Sequence, residues 1–126
     1  MEKPPIHLNS STPMRIRVLS DLHLEFSDWV PPAIPADVVV LAGDIDVGTR
    51  AIEWAIRHFA PTPVIYVPGN HEYYGESLPK HTKTLRQKCD GTNVHLLDND
   101  AVRLKGVVFL GCTLWTDFEL FGGDPR

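Results

Sequence analysis

The sequence predicts an α/β layered fold in which parallel strands come first, and three observations predict it. Apolar strand-length runs at 15–20, 38–41 and 64–67 each end in a polar or glycine-bearing turn. Segments with helical spacing, 51–59 and 78–89, follow the second and third runs. Three further short strands close the chain, giving the order β, β-α, β-α, then β-β-β. Strands that alternate with amphipathic helices indicate a parallel sheet, because a parallel partner needs a crossover long enough to hold a helix.

Each element has a local reason. Residues 1–13 contain Pro4, Pro5, Asn9, Ser10, Ser11, Thr12 and Pro13 and offer little to bury, so they read as a flexible tail, with Met14 opening the structured part. In the first strand Ile16, Val18 and Ser20 share one face. Residues 24–35 form a loop broken by Pro31, Pro32 and Pro35. Val38-Val39-Val40-Leu41 is a continuous β-branched run, the pattern of a strand covered on both faces, and Gly43 ends it. Ile52, Ala55, Ile56 and Phe59 make one side of a helix that Pro61 and Pro63 stop. Val64-Ile65-Tyr66-Val67 is a third strand, closed by Pro68-Gly69. Ser77 is placed to cap the second helix, Pro79 is tolerated in its first turn, and Leu78, Leu85 and Cys89 supply a thin apolar stripe. Strands at 93–97, 101–104 and 107–114 follow, with turns at Asp98-Asn99-Asp100 and Lys105-Gly106.

The chain's 126 residues, 43% hydrophobic and 22% charged, suffice for one domain with a modest core. A net charge of -4 does not indicate a nucleic-acid grip held by a broad basic surface. Cys89 and Cys112 stand in no Cys-x-x-Cys pattern and read as reduced, buried thiols. The longest apolar runs are strand-length and too short to span a bilayer, so the expected setting is cytoplasmic, with no membrane partner.

The chemistry concentrates at the ends of the first three strands: Ser20-Asp21-Leu22-His23, Leu41-Ala42-Gly43-Asp44 and Gly69-Asn70-His71-Glu72. Ligands gather at that edge of open α/β sheets because the following loops converge there. Carboxylate, imidazole and amide oxygen together make the ligand set of a hydrolytic divalent-metal centre. Asp21 and His23 are two apart, so a persisting strand geometry points both to one face, able to clasp one metal. Asp44 follows a glycine that permits a sharp turn, and its two oxygens suit it to bridge two cations. Asn70 offers a neutral carbonyl oxygen to a second cation beside that aspartate. If the chain is extended there, His71 points elsewhere, better placed to protonate a leaving oxygen or touch a phosphoryl oxygen than to bind the same metal.

Taken singly, each motif has a plainer explanation. Asp-x-His and Gly-Asp pairs also cap helices and close turns. It is their joint occurrence, in order and each after an apolar strand, that points to a metal site. His7, His58, His81 and His95 have no second donor at useful spacing and read as surface or packing residues. Glu25, Asp28, Asp37 and Asp46 read as solvated loop acids. Tyr73 and Tyr74 either line a pocket or pack the loop, and Trp115-Thr116-Asp117-Phe118 either lines a site or ends a strand.

These blocks, Asp21-Leu22-His23, Gly43-Asp44 and Gly69-Asn70-His71-Glu72, resemble the signature of the calcineurin-like metallophosphoesterases, over about residues 14 to 118. The resemblance implies a β-sandwich of two mixed sheets flanked by helices, of which residues 14–126 would be the N-terminal part. It implies a hydrolase of phosphate mono- or diesters that works through a hydroxide activated by two metals, manganese, iron or zinc. By this resemblance Asp21 and His23 are ligands of the first metal, Asp44 the bridge, Asn70 a ligand of the second, and His71 the residue that assists the leaving group. The chain departs from the pattern in lacking a later isolated histidine and a Gly-His-x-His block. The expectation is therefore a domain truncated at its C-terminus, with apolar sheet surface that an oligomer would cover. The alternative is a catalytically incomplete remnant that serves at most as a weak metal-binding or interaction module.

Overall fold

Val38 to Ala42 carry the middle of the fold, because a run of β-branched and aliphatic residues can be packed from both sides. The structure is a computed structural model and describes residues 13–115. Its elements run β1 (Ile16–Leu19), β2 (Val38–Ala42), α1 (Arg50–Phe59), β3 (Val64–Val67), a 3-10 turn (His71–Tyr73), α2 (Leu78–Cys89), β4 (Val94–Leu96), β5 (Asp100–Leu104) and β6 (Val107–Gly111). Strands β1 to β4 form one parallel sheet in the order β1-β2-β3-β4, and β5 and β6 form an antiparallel ribbon. This is the expected element order. The remainder of the expected tail and Thr116-Asp117-Phe118 lie outside the described residues.

Three layers result. On one face of the sheet, Val39, Leu41, Val64, Tyr66, Val94 and Leu96 pack against Ala51, Ile52, Ala55 and Phe59 of α1 and Leu85 and Cys89 of α2. On the other, Val38, Ile65 and Leu97 meet Val102, Leu104 and Phe109 of the ribbon. The ribbon sits close: a methyl group on Gly111 would lie 2.6 Å from Leu97 Cβ and 2.9 Å from Val67 Cγ2.

Several local expectations change. The face of β1 carrying Ile16 and Val18 is the open one, with Val18 61% exposed, while Leu19 packs towards the helices. Alternation placed Ile16 and Val18 together on one face of β1 but did not say which face would be covered. Ser77 occupies the N-cap of α2, yet its hydroxyl makes no capping bond; its carbonyl accepts the His81 N–H at 2.8 Å. The buried stripe of α2 is His81, Leu85 and Cys89, not Leu78. His81 keeps the packing role expected of it, with its Nε2 3.3 Å from the Gly48 carbonyl and its ring against Tyr73. Cys89 is buried as expected, whereas Cys112 is half-buried.

Candidate metal centre

The loops after β1, β2 and β3 meet at one edge of the sheet because their backbones are tied together. Asp21, His23 and Leu24 donate N–H bonds to the carbonyls of Gly43, Asp44 and Ile45 at 3.0, 3.0 and 2.9 Å. These bonds do not continue strand geometry. Asp21, His23 and Asp44 have φ of 53°, 47° and 53°, so the extended chain expected between Asp21 and His23 is replaced by left-handed turns. Asp and His are among the residues that tolerate this region best, and held outliers of this kind cluster at functional sites. Asp21 Oδ1 nevertheless stands 3.9 Å from His23 Nε2. Two donors on one ion at metal–ligand distances of about 2.0–2.2 Å stand at most roughly 4.4 Å apart, so this pair can still share a cation.

Asp44 is held against the third loop. Its Oδ1 accepts the His71 backbone N–H at 3.0 Å, so the carboxylate is oriented and does not hang free at the strand tip. Gly69 makes this approach feasible: a Cβ there would lie 2.2 Å from Asp44 Oδ1 and 2.6 Å from the Asp44 nitrogen. Glu72 joins the loops beneath. Fully buried, it accepts from the N–H groups of Ile45 (3.0 Å), Gly69 (2.9 Å) and Asp44 (3.2 Å) and from the Tyr66 hydroxyl (3.1 Å). Burial pushes the Glu72 carboxyl above its ordinary range, against the pull of those hydrogen bonds. Burial, then the neighbouring Glu72 charge, likewise drives the Tyr66 phenol well above its usual value.

His71 does not point elsewhere. Asn70 is in αR conformation and His71 begins a 3-10 turn, so the expected extended chain is absent and the imidazole turns towards His23. Their ring centroids are 4.3 Å apart, and donor atoms of His23, Asp44 and His71 all lie within 4.8 Å of one another.

The oxygen and nitrogen of the Asn70 amide can be assigned in two ways, of which one satisfies its neighbours. In one, Nδ2 donates to the Tyr74 hydroxyl at 2.9 Å and Oδ1 faces the Asp44 carboxylate. In the other, Nδ2 donates to both Asp44 oxygens, at 3.2 and 3.1 Å, and Oδ1 accepts from Tyr74. The second satisfies every group and is the orientation the hydrogen bonds support; only with a cation bound beside Asp44 would the amide oxygen turn to the carboxylate instead. The donors the structure brings together are those of His23, Asp44 and His71, with Asp21 3.9 Å from His23 and the Asn70 amide beside Asp44, a mixture of carboxylate, imidazole and amide groups whose chemistry suits a divalent metal.

Glu25 was read as a solvated loop acid and is instead tucked between the two histidines, its side chain 10% exposed. Its Oε1 lies 3.2 Å from His23 Nδ1 and 2.5 Å from His71 Nδ1. Burial raises its pKa, but the bond to His71, followed by those to its own backbone and to His23, brings it below the ordinary range. His71 is raised in turn, chiefly by its bond to Glu25. Asp46, also expected in solvent, is 4% exposed and pairs with Arg50 at 3.3 Å; burial raises its pKa. The burial of Glu25 depends on His71, 46 residues away, so no local pattern signalled it.

A cleft of about 570 Å³ opens beside these groups, with Asp21, Asp44 and Asn70 on one wall and Leu110, Cys112, Thr113 and Trp115 on the other. Trp115 lines this cleft, Tyr73 is buried, and Tyr74 is exposed with its ring 4.5 Å from His71. Among the described residues no helix is long and apolar enough to cross a membrane.

The family model described as "Calcineurin-like phosphoesterase" matches residues 14–123. The chain is also 32% identical, over 129 aligned positions, to the protein named "Uncharacterized protein L509" of Acanthamoeba polyphaga mimivirus. That alignment covers 84% of this chain and 46% of the viral protein, so the chain spans about half the length of that relative.

Proposed function

The chain belongs to the calcineurin-like phosphoesterase family, and from that premise we propose that it hydrolyses phosphate mono- or diesters at a divalent-metal centre. Asp21 and His23 would hold one cation, Asp44 would bridge, and Asn70 would add an oxygen to a second. The observation that carries this reading is the convergence of His23, Asp44 and His71 donors within 4.8 Å at the end of a parallel sheet. Bound cations would supply Lewis acidity, easing loss of a proton from water and offsetting phosphoryl charge.

The chain's own residues do the rest. The His71 N–H fixes one Asp44 oxygen and leaves Oδ2 for a cation. Tyr74 steadies the Asn70 amide, and its exposed ring borders His71, where a leaving group would sit. His71 engages Glu25 through Nδ1. In its imidazolium form it can pass the Nε2 proton to the leaving oxygen, which departs as an alcohol. Manganese, which suits the carboxylate and carbonyl oxygens of this set, is the cation to try first. A cytoplasmic setting accords with the free thiols of Cys89 and Cys112.

The test is manganese-dependent hydrolysis of bis(4-nitrophenyl) phosphate and 4-nitrophenyl phosphate by the 126-residue chain, beside Asp44→Asn. Activity that the substitution abolishes supports the proposal, and equal rates for the two proteins count against it. A second reading, a non-catalytic module that binds one cation and docks a partner, draws on the bare apolar surface of Val18 and Leu110, 61% and 81% exposed. It expects metal binding without hydrolysis.

A further inference from the structure

We propose that Glu25 is a positioning residue that fixes the imidazoles of both His23 and His71 by accepting from their Nδ1–H groups, so that each ring presents Nε2 to the site. What Nε2 then meets, cation or phosphoryl group, rests on the function proposed above; the orientation itself does not.

The turn after β1 sets this up. The Phe26 N–H donates to the His23 carbonyl at 3.0 Å, closing a turn that brings Glu25 back onto His23. His71 arrives from a loop 46 residues away and meets the same carboxylate oxygen. The two Nδ1 atoms are 3.2 Å apart, and Glu25 Oε1 lies within 3.2 Å of both. If both rings carried their proton on Nε2, two nitrogen lone pairs and a carboxylate would face one another. With Nδ1 protonated on both rings, each N–H can donate to the one Glu25 oxygen, whose negative charge offsets the 3.2 Å approach of the two nitrogens; such carboxylate support is common around metal-bound histidines. The free Nε2 of His23 then faces Asp21, 3.9 Å away, on the side where the pair can share an ion.

The rest of Glu25 agrees. Its Oε2 is buried with no hydrogen-bond partner among the described residues. An acid with no task here would be expected to turn to solvent, because a buried oxygen without a partner is unfavourable.

The test reads tautomers directly. Long-range proton–nitrogen correlation spectra of the metal-free chain separate Nδ1–H from Nε2–H rings. The wild-type protein is expected to show His23 and His71 as Nδ1–H tautomers. Glu25→Gln keeps a carbonyl acceptor and should preserve them; Glu25→Ala should return both rings to Nε2–H. Calorimetry with zinc alone should show the Ala variant weakened by about 10–100-fold and the Gln variant much less. Wild-type rings in the Nε2–H form would overturn the proposal, as would tautomers unchanged in Glu25→Ala. Because Glu25→Gln is nearly isosteric and the wild-type spectrum is itself decisive, a failure of the Ala variant to fold leaves the test intact. Nδ1–H tautomers in a chain without hydrolytic activity would support the role of Glu25 while contradicting the proposed function.

Discussion

Replacing Glu72 by glutamine should destabilise the protein by about 1–2 kcal/mol, and the structure says where that loss arises. Glu72 is fully buried, and each oxygen accepts two bonds: Oε1 from Ile45 N–H and Tyr66 O–H, Oε2 from Gly69 N–H and Asp44 N–H. Glutamine has the same shape but must place an NH2 group at one corner. At the Gly69 and Asp44 corner it would oppose two backbone donors. At the other, Tyr66 can rotate its hydroxyl to accept, leaving only the Ile45 N–H unpaired. One orphaned buried donor costs about 1–3 kcal/mol, and part is recovered because burial already disfavours the Glu72 charge. For a domain of this size such a loss lowers Tm by roughly 4–15 °C. Urea and thermal unfolding followed by circular dichroism would measure it, with an unchanged m-value showing that the native state stays compact. Zinc affinity should fall less than about tenfold, since the bonds to Gly69 and Asp44 survive. Glu72→Leu leaves all four donors unpaired, about 4–12 kcal/mol in sum and comparable with the whole stability of a domain, so it should not fold. A glutamine variant as stable as the wild type, or a folded leucine variant, would refute the clamp.

Other predictions concern the same loops and the core. Gly69→Ala places a methyl against the Asp44 carboxylate and backbone nitrogen, and should reduce stability by about 1–3 kcal/mol and weaken zinc binding in calorimetry. His71→Ala should lower turnover by about 10²–10⁴-fold with metal content, read by elemental analysis, largely intact; loss of the metal would reassign His71 as a ligand. Burial pushes the Cys89 thiol up to about 11, so at pH 8 only about one molecule in a thousand carries its thiolate. Mass spectrometry after brief iodoacetamide treatment should therefore find Cys112 alkylated and Cys89 spared.

The sequence disclosed what is local. The β-branched run of β2, the proline stops around α1 and the glycines after β2 and β3 act on their own neighbours, so element order and the strand-end position of the motifs could be read directly. Facing was harder. Ile16 and Val18 share a face by alternation, but whether that face is covered depends on where the β5–β6 ribbon lies. The site was legible as a set of donors, not as a geometry. The left-handed turns at Asp21, His23 and Asp44 arise from backbone bonds between the first two loops, and they replace the strand spacing on which the pairing of Asp21 with His23 was argued. Glu25 escaped notice because its burial depends on His71, 46 residues away. Glu72 stood inside a recognised motif, yet its four donors come from three separate segments.

The most direct test of the account is an anomalous-difference map from a crystal of the chain grown with manganese. The account predicts a peak enclosed by Asp21, His23 and Asp44, with any second peak between Asp44 and Asn70. A well-ordered crystal with no peak there, or with manganese bound only at other carboxylates, would contradict it.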